Sequence, residues 1–205
     1  MHRLYENDLY YCEHLRLTRK VNEELDEFLI SKHPEGKGVM DYLQVQAVHD
    51  EAEELMKTYL VRDAVTDELA AYFSVRAGSV KIEFVADEKT GIYPGVELAY
   101  FGVNENYIEK HPENKGMGIQ IFEKMIIPIA QGMRSFVAAK GIFGYAVNGT
   151  TLMERYINSY GFNRLSPENE KKLHENYRPG TDEECIFIYK DIEEKGETGS
   201  SIKPR

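Results

Sequence analysis

Apolar positions recur along this chain with two periods, and the switches between them lay out the elements. Leu9-Tyr-Tyr-Cys-Glu-His-Leu15 predicts a first strand. From Asn22 to Ile30, the residues Leu25, Phe28 and Leu29 fall on one helical face, with Asn22 placed as the cap. Gly36 and Gly38 interrupt that pattern, and a second helix is expected around Tyr42 to Val48. The acidic run Asp50 to Glu54 is expected to be a solvated face or loop. Thr58 to Arg62 and Leu69 to Val75 alternate as a hairpin around the polar turn Asp63 to Glu68. A Gly- and charge-rich interval follows, and then Val96 to Val103 predicts a strong strand. The loop Asn104 to Lys115 leads into a long helix from Met117 to about Lys140, which Pro128 should kink or split. Ile142 to Val147 is a further strand, and Leu152 to Ser159 is a helix stopped by Gly161. Ser166 to Glu183 is loop or short helix, and Cys185 to Tyr189 is a late strand. Helices alternating with strands in the centre, with hairpins beside them, predict an α/β domain on a mixed sheet over residues 1–192. From residue 193 the composition is that of a flexible tail.

Composition narrows the function classes. With 205 residues the chain suits one domain, and its longest apolar run, Met125 to Ala130, is far too short to span a bilayer. The charged start, Met1 to Asp8, is not that of a secretory leader, and Cys12 and Cys185 have no motif spacing. A reduced, cytoplasmic protein without membrane contact is the expectation. The six histidines are scattered, so no metal site is expected, and no G-x-S-x-G elbow supports a serine hydrolase. A net charge of −10 argues against a broad phosphate-contacting surface and makes nucleic acid an unfavoured partner. It suits a cationic substrate such as a protonated amine, and equally an acidic surface that only keeps the protein dissolved.

One segment combines the parts of an anion site. Val96 to Val103, then Lys115-Gly116-Met117-Gly118, then Ile119 to Lys124 reads as strand, Gly-rich turn and helix start. Unpaired first-turn amides and the helix dipole favour a phosphate there, and glycine lets the backbone come close. A look-alike lies upstream. His33-Pro-Glu-Gly-Lys-Gly38 nearly repeats His111-Pro-Glu-Asn-Lys-Gly116, but it follows a helix instead of a strand and is expected to be a plain inter-helix turn.

At this point the chain resembles the GNAT superfamily of N-acetyltransferases. The resemblance rests on Leu98-Ala-Tyr-Phe-Gly-Val103, Glu113-Asn-Lys-Gly-Met-Gly118, Tyr145-Ala-Val-Asn148 and Arg155-Tyr-Ile-Asn-Ser-Tyr-Gly-Phe162. These agree in order and spacing over roughly Thr58 to Phe162. Upstream, Cys12, Glu24 to Leu29, Tyr72 to Val80 and Tyr93-Pro94 are similar to the branch of acetyltransferase toxins that act on aminoacyl-tRNA. The resemblance implies a mostly antiparallel sheet of about six to seven strands flanked by helices. It implies acetyl-CoA as co-substrate, held by Phe101, Gly102 and Val103, by Glu113 to Ile119 (Glu113, Asn114, Lys115, Gly116, Met117, Gly118, Ile119), and by Asn148. Glu113 stands where the family has Gln or Arg, and the loop after Val103 is several residues longer than usual. The family's catalytic Tyr lies four residues before the Gly of Gly-Phe, whereas Tyr156 here lies five before Gly161; a bulge or an extra residue in that turn would restore it.

Acetyl transfer to an amine needs a base, a polarised carbonyl and an acid for the departing thiolate. The resemblance places the polarising amide within Phe101 to Val103. Glu97, opening the central strand, is the expected base, directly or through water, and Tyr156 the expected acid. Strict alternation puts Glu97, Ala99 and Phe101 on one face and Leu98, Tyr100 and Gly102 on the other. Tyr100 is a candidate for lining the substrate or for the core, and Asn148 for a cofactor contact or a helix cap. The leading expectation is acetylation of a primary amine on a small molecule or protein, in a monomer or homodimer. The alternatives are a toxin-like enzyme acting on aminoacyl-tRNA and a catalytically silent CoA-binding module.

Overall fold

The structure, a computed structural model, describes residues 4–16, 19–30, 36–84, 89–176 and 185–192. The predicted tail lies outside the described residues. Eight strands form one sheet: β1 Tyr5–Glu6, β2 Tyr10–His14, β3 Lys57–Asp63, β4 Leu69–Phe84, β5 Lys89–Val103, β6 Gly141–Ala146, β7 Asn163–Arg164 and β8 Ile186–Asp191. Their order is β1-β2-β3-β4-β5-β6-β8-β7. Every neighbouring pair is antiparallel except β5 and β6, which run parallel. The two shortest strands lie at the edges, which accounts for the count above six to seven.

Helix α1 is Arg19–Asp26, so Asn22 sits inside it and is not its cap. Residues 36–52 form α2, in which a π-helical turn, Tyr42–Gln46, joins Gly36–Asp41 to Ala47–Ala52. After β5 comes α3, Glu105–Lys110, and then residues 117–133 form α4, again with a π turn at Phe122–Ile126. That turn immediately precedes Pro128. It loosens the ladder where proline removes a donor, so the expected kink takes the form of one wide turn. Residues 150–159 form α5, and α6 is Pro167–Asn176.

Each face of the sheet buries its own core. On one side Ile121, Phe122, Met125 and Ile129 of α4 pack on Val61, Phe73, Val75, Val96 and Ile142. On the other, Val21, Leu25 and Phe28 join Tyr42 and Leu43 over Leu60 and Tyr72. Farther along that second face, Leu173 of α6 closes over Val80, Ile82, Phe143 and Phe187. The acidic run does not behave as a solvated face throughout. Asp50 is buried and accepts from Gln46 Nε2 at 2.8 Å, and Glu51 accepts the Thr58 amide at 2.7 Å, pinning the start of β3.

Arg62, 1% exposed, is the largest of the fully buried side chains. Its Nε donates to Glu13 at 2.6 Å, and its two terminal nitrogens to Glu24 at 2.9 and 2.7 Å, tying α1 to the sheet. Burial pulls the guanidinium pKa down, and hydrogen bonds to Glu24 and Glu13 more than restore it. A buried charge is tolerable only when paired this completely. Cys12 and Cys185 are buried thiols.

The predicted hairpin Thr58–Arg62 and Leu69–Val75 is present, but β4 and β5 run much farther than expected. They remain paired from Ala71 opposite Val103 to Phe84 opposite Lys89. Gly78 and Gly95 look like breakers in the sequence. They lie instead under the Phe143 ring, which a Cβ would approach to 2.9 and 3.0 Å. Glycine in a strand marks such a close approach.

Candidate active site

The central feature is an open edge on β5. One edge pairs with β4 out to Val103, while the other meets β6 only at Gly95, Val96 and Glu97, opposite Gly141, Ile142 and Phe143. Gly144 is still so near β5 that a Cβ would stand 2.9 Å from the Leu98 carbonyl oxygen. Beyond that point no described strand pairs with the edge. The Asn104 amide donates to Ala70 at 2.9 Å. By antiparallel alternation, the amides of Phe101 and Val103 therefore point away from β4, into the opening between β5 and β6.

A β-bulge corrects the expected faces of this strand. Ser74 pairs with Tyr100 and Val75 with Leu98, leaving Ala99 as the extra residue. Leu98 consequently shares a core with Phe101 and Val103 beneath α4. Tyr100 packs on the opposite face, with its ring stacked on Tyr42 at 3.7 Å, and Gly102 lies there against Ile30 and Val39. Ala99 packs on that second face too, so it does not share a side with Phe101.

The long loop after Val103 is held by polar contacts. Asn104 caps α3 by accepting from the Asn106 amide at 3.1 Å. The Tyr107 phenol donates to Asp63 at 2.5 Å, and Asn114 Nδ2 donates to the same phenol oxygen at 2.7 Å. Burial pushes the Asp63 carboxyl up, but Tyr107 and the amides of Thr66 and Val65 bring it below the usual value. Glu68 receives His111 Nε2 at 2.6 Å and Lys110 Nζ at 3.0 Å. The Glu113 carboxylate lies 3.5 Å from His111 Nδ1, directed at that ring. The departure at Glu113 thus serves the loop.

At the turn itself, Gly116 adopts φ +94 as the cap of α4, and a Cβ built on it would meet nothing within 4 Å. Among the described residues, the amides of Gly116, Met117 and Gly118 have no acceptor, while the Ile119 amide bonds Gly116 O at 3.3 Å. Met117 is buried and Ile119 exposed. Lys115 is exposed, with no ion-pair partner among the described residues. Gly118 is buried where a Cβ would stand 2.8 Å from the Tyr160 hydroxyl and 3.7 Å from the Phe101 ring.

Opposite this turn, α5 ends in a π-helical turn, Arg155–Ser159, closed by Tyr160 N donating to Arg155 O at 3.1 Å. That wide turn takes up one residue more than an α-helical turn between Tyr156 and Gly161. Tyr156 packs on Tyr160 and Phe162, and its hydroxyl has no hydrogen-bond partner among the described residues. Burial, chiefly, pushes its pKa up to about 12. Asn148 is exposed just after β6; Gly149, not Asn148, stands at the start of α5. Glu97 is buried at the closed end of the opening, on the face of Tyr100, with both carboxylate oxygens held by Arg76 at 2.7 and 2.9 Å. Sequence reasoning missed Arg76 and Tyr160. Only the pairing of β4 with β5 could reveal the first, and the Gly-Phe pair after Tyr160 was the one signal for the second.

No family model and no curated protein matches the chain. Solved structures do. A Tyr-to-Phe variant of KacT superimposes with TM-score 0.62 and 12% identity, over 90% of this chain and 95% of that one. AtaTR bound with acetyl-CoA gives 0.56 and 16%, over 89% and 94%. AtaT complexed with acetyl-methionyl-tRNAfMet gives 0.57 and 14%, over 87% and 93%. The chain therefore has the fold that these KacT and AtaT structures share.

Proposed function

We propose that the protein is an acetyl-CoA-dependent N-acetyltransferase acting on a primary amine. The observation that carries this is the open β5 edge, with two inward amides, ending beside a turn of unpaired amides and an uncrowded Gly116. These groups fit a long donor with a diphosphate at one end and an amide-bearing arm at the other. Amides of the first turn of α4 and the Lys115 ammonium would hold the diphosphate. The β5 edge would pair with the arm as a strand would.

In this assignment, the Phe101 or Val103 amide donates to the carbonyl oxygen as negative charge builds there. The amine nitrogen bonds to the carbonyl carbon and the carbon–sulfur bond breaks. Glu97 receives the amine's proton through water, on lone pairs that Arg76 leaves open. Tyr156, a phenol protonated at neutral pH that burial pushes further up, gives its proton to the departing sulfur. Asn148, at the tip of the other arm of the opening, would bond the donor's arm.

Thiol release from acetyl-CoA across a panel of amines tests the assignment. Tyr156→Phe should lower kcat by about 10²–10⁴-fold while leaving CoA affinity unchanged. CoA binding with no release across the panel would instead leave a silent binding module.

A second reading of the acceptor has its own support. AtaT, which this fold matches over 87% of the chain, is seen with acetyl-methionyl-tRNAfMet. An aminoacyl-tRNA acceptor would present the same primary amine. The net charge of −10 weighs against it. Binding of tRNA whose affinity falls steeply with salt would favour it.

A further inference from the structure

Tyr160 is not among the residues that the GNAT resemblance assigns to the site, and its surroundings single it out. Its side chain is 8% exposed and wedged among Phe122 at 5.0 Å, Tyr156 at 5.6 Å and Phe101 at 6.3 Å between ring centroids. Three rings pack against the phenol, and its hydroxyl makes no hydrogen bond with any described residue. The oxygen is not one of the buried polar atoms left without a partner, so part of the residue's small exposure lies at the hydroxyl, where a ligand can reach it. This hydroxyl reaches the first turn of α4, 2.8 Å from where a Cβ of Gly118 would stand. The amides of Gly116, Met117 and Gly118 lack acceptors at the same turn. Donors without acceptors therefore converge here from two elements, α4 and the end of α5.

We propose that the Tyr160 hydroxyl is a ligand of the donor's diphosphate, donating a hydrogen bond beside the amides of Met117 and Gly118. The inference rests on the acetyl-CoA reading and adds to it a side chain that binds the donor and is distinct from Tyr156. Burial raises the Tyr160 pKa, so the group keeps its proton and serves as a donor to an anion. Glycine at 118 follows from the same contact, because any side chain there would occupy the oxygen's place.

The test compares CoA with acetyl-pantetheine, which has the arm and thioester but no diphosphate, on the full chain and on Tyr160→Phe. The expected result is about tenfold weaker CoA binding in the variant, as for one hydrogen bond to a charged group. KM for acetyl-CoA should rise to match with kcat held, and KM for acetyl-pantetheine should stay unchanged. The melting temperature should stay level or rise, since no bond is lost from the free protein. Equal losses for both donors, or unchanged CoA affinity, would overturn the inference while leaving the acetyltransferase reading in place. A full chain that binds no CoA would overturn both.

Discussion

Two stretches of this chain share nearly the same six residues and take opposite conformations. In the upstream copy the described part, from Gly36, is already the first turn of α2, and Gly38 has an ordinary backbone angle inside it. Gly36 is pressed so close to Ile30 that a Cβ would lie 2.2 Å from Cγ2. In the downstream copy Pro112–Asn114 make a 3-10 turn, Gly116 turns left-handed at φ +94, and its surroundings are open. A Gly-x-Gly string carries no site in itself. In the proposed assignment it becomes one where a strand leads in, a loop is tethered from the side, and the glycine's outer face meets empty space.

The comparison can be pressed glycine by glycine. Gly118→Ala sets a methyl against the Tyr160 hydroxyl, an overpacking worth about 1–3 kcal/mol, partly offset by about 1 kcal/mol from replacing a helical glycine. In a Tyr160→Phe background much of the penalty should vanish, giving a coupling above about 0.5 kcal/mol in a double-mutant cycle read by denaturant unfolding. Additive effects would break the link between the two residues. Gly116→Ala should cost about 1–2 kcal/mol for a left-handed alanine and weaken CoA binding. The matching change upstream, Gly38→Ala, should stabilise by about 0.5–1 kcal/mol with CoA affinity unmoved, because it sits in a helix with nothing within 4 Å. Loss of CoA binding in that variant would mean the upstream copy is no decoy.

The smallest effect concerns the tether. The Glu68 hydrogen bond, against a lesser opposing effect of burial, raises His111 above its usual 6.5. Glu113, Asp63 and Lys110 also face it or its partner, and the Tyr107 ring lies 4.6 Å away. A raised folded-state pKa gives stability that is complete below the unfolded value and fades as pH climbs through the folded one. Melting temperature should therefore drop from pH 6 upward more in the native chain than in His111→Gln. Parallel curves for the two would show that the imidazolium is not what holds the loop.

Local pattern sufficed where one residue type had one physical meaning. The β3–β4 hairpin around Asp63 to Glu68, the helix opening at Met117 and the stop at Gly161 were legible because alternation and glycine set them without help from distant residues. What stayed hidden depended on partners far along the chain. Gly78 and Gly95 read as breaks until Phe143, from another strand, occupies the space above them. Ala99 reads as one alternating residue until Val75 and Ser74 pair on either side of it and skip it. Glu97 was legible as a carboxylate opening the central strand, but its burial and its pairing with Arg76 emerge only through the β4–β5 register. Asp50 counted as surface charge because nothing near it in sequence announces the packing of α2 onto β3.

The bulge at Ala99 makes the strand's sensitivity to length depend on where a change falls. Downstream of it, sidedness is a matter of counting. Removing that single alanine would leave Leu98 followed directly by Tyr100, and plain alternation would keep Tyr100 on the α2 flank and Phe101 and Val103 on the α4 flank. A one-codon deletion at Gly102, which pairs regularly with Tyr72, would instead carry Val103 to the α2 flank. The strand should accordingly tolerate loss of Ala99 more readily than loss of Gly102.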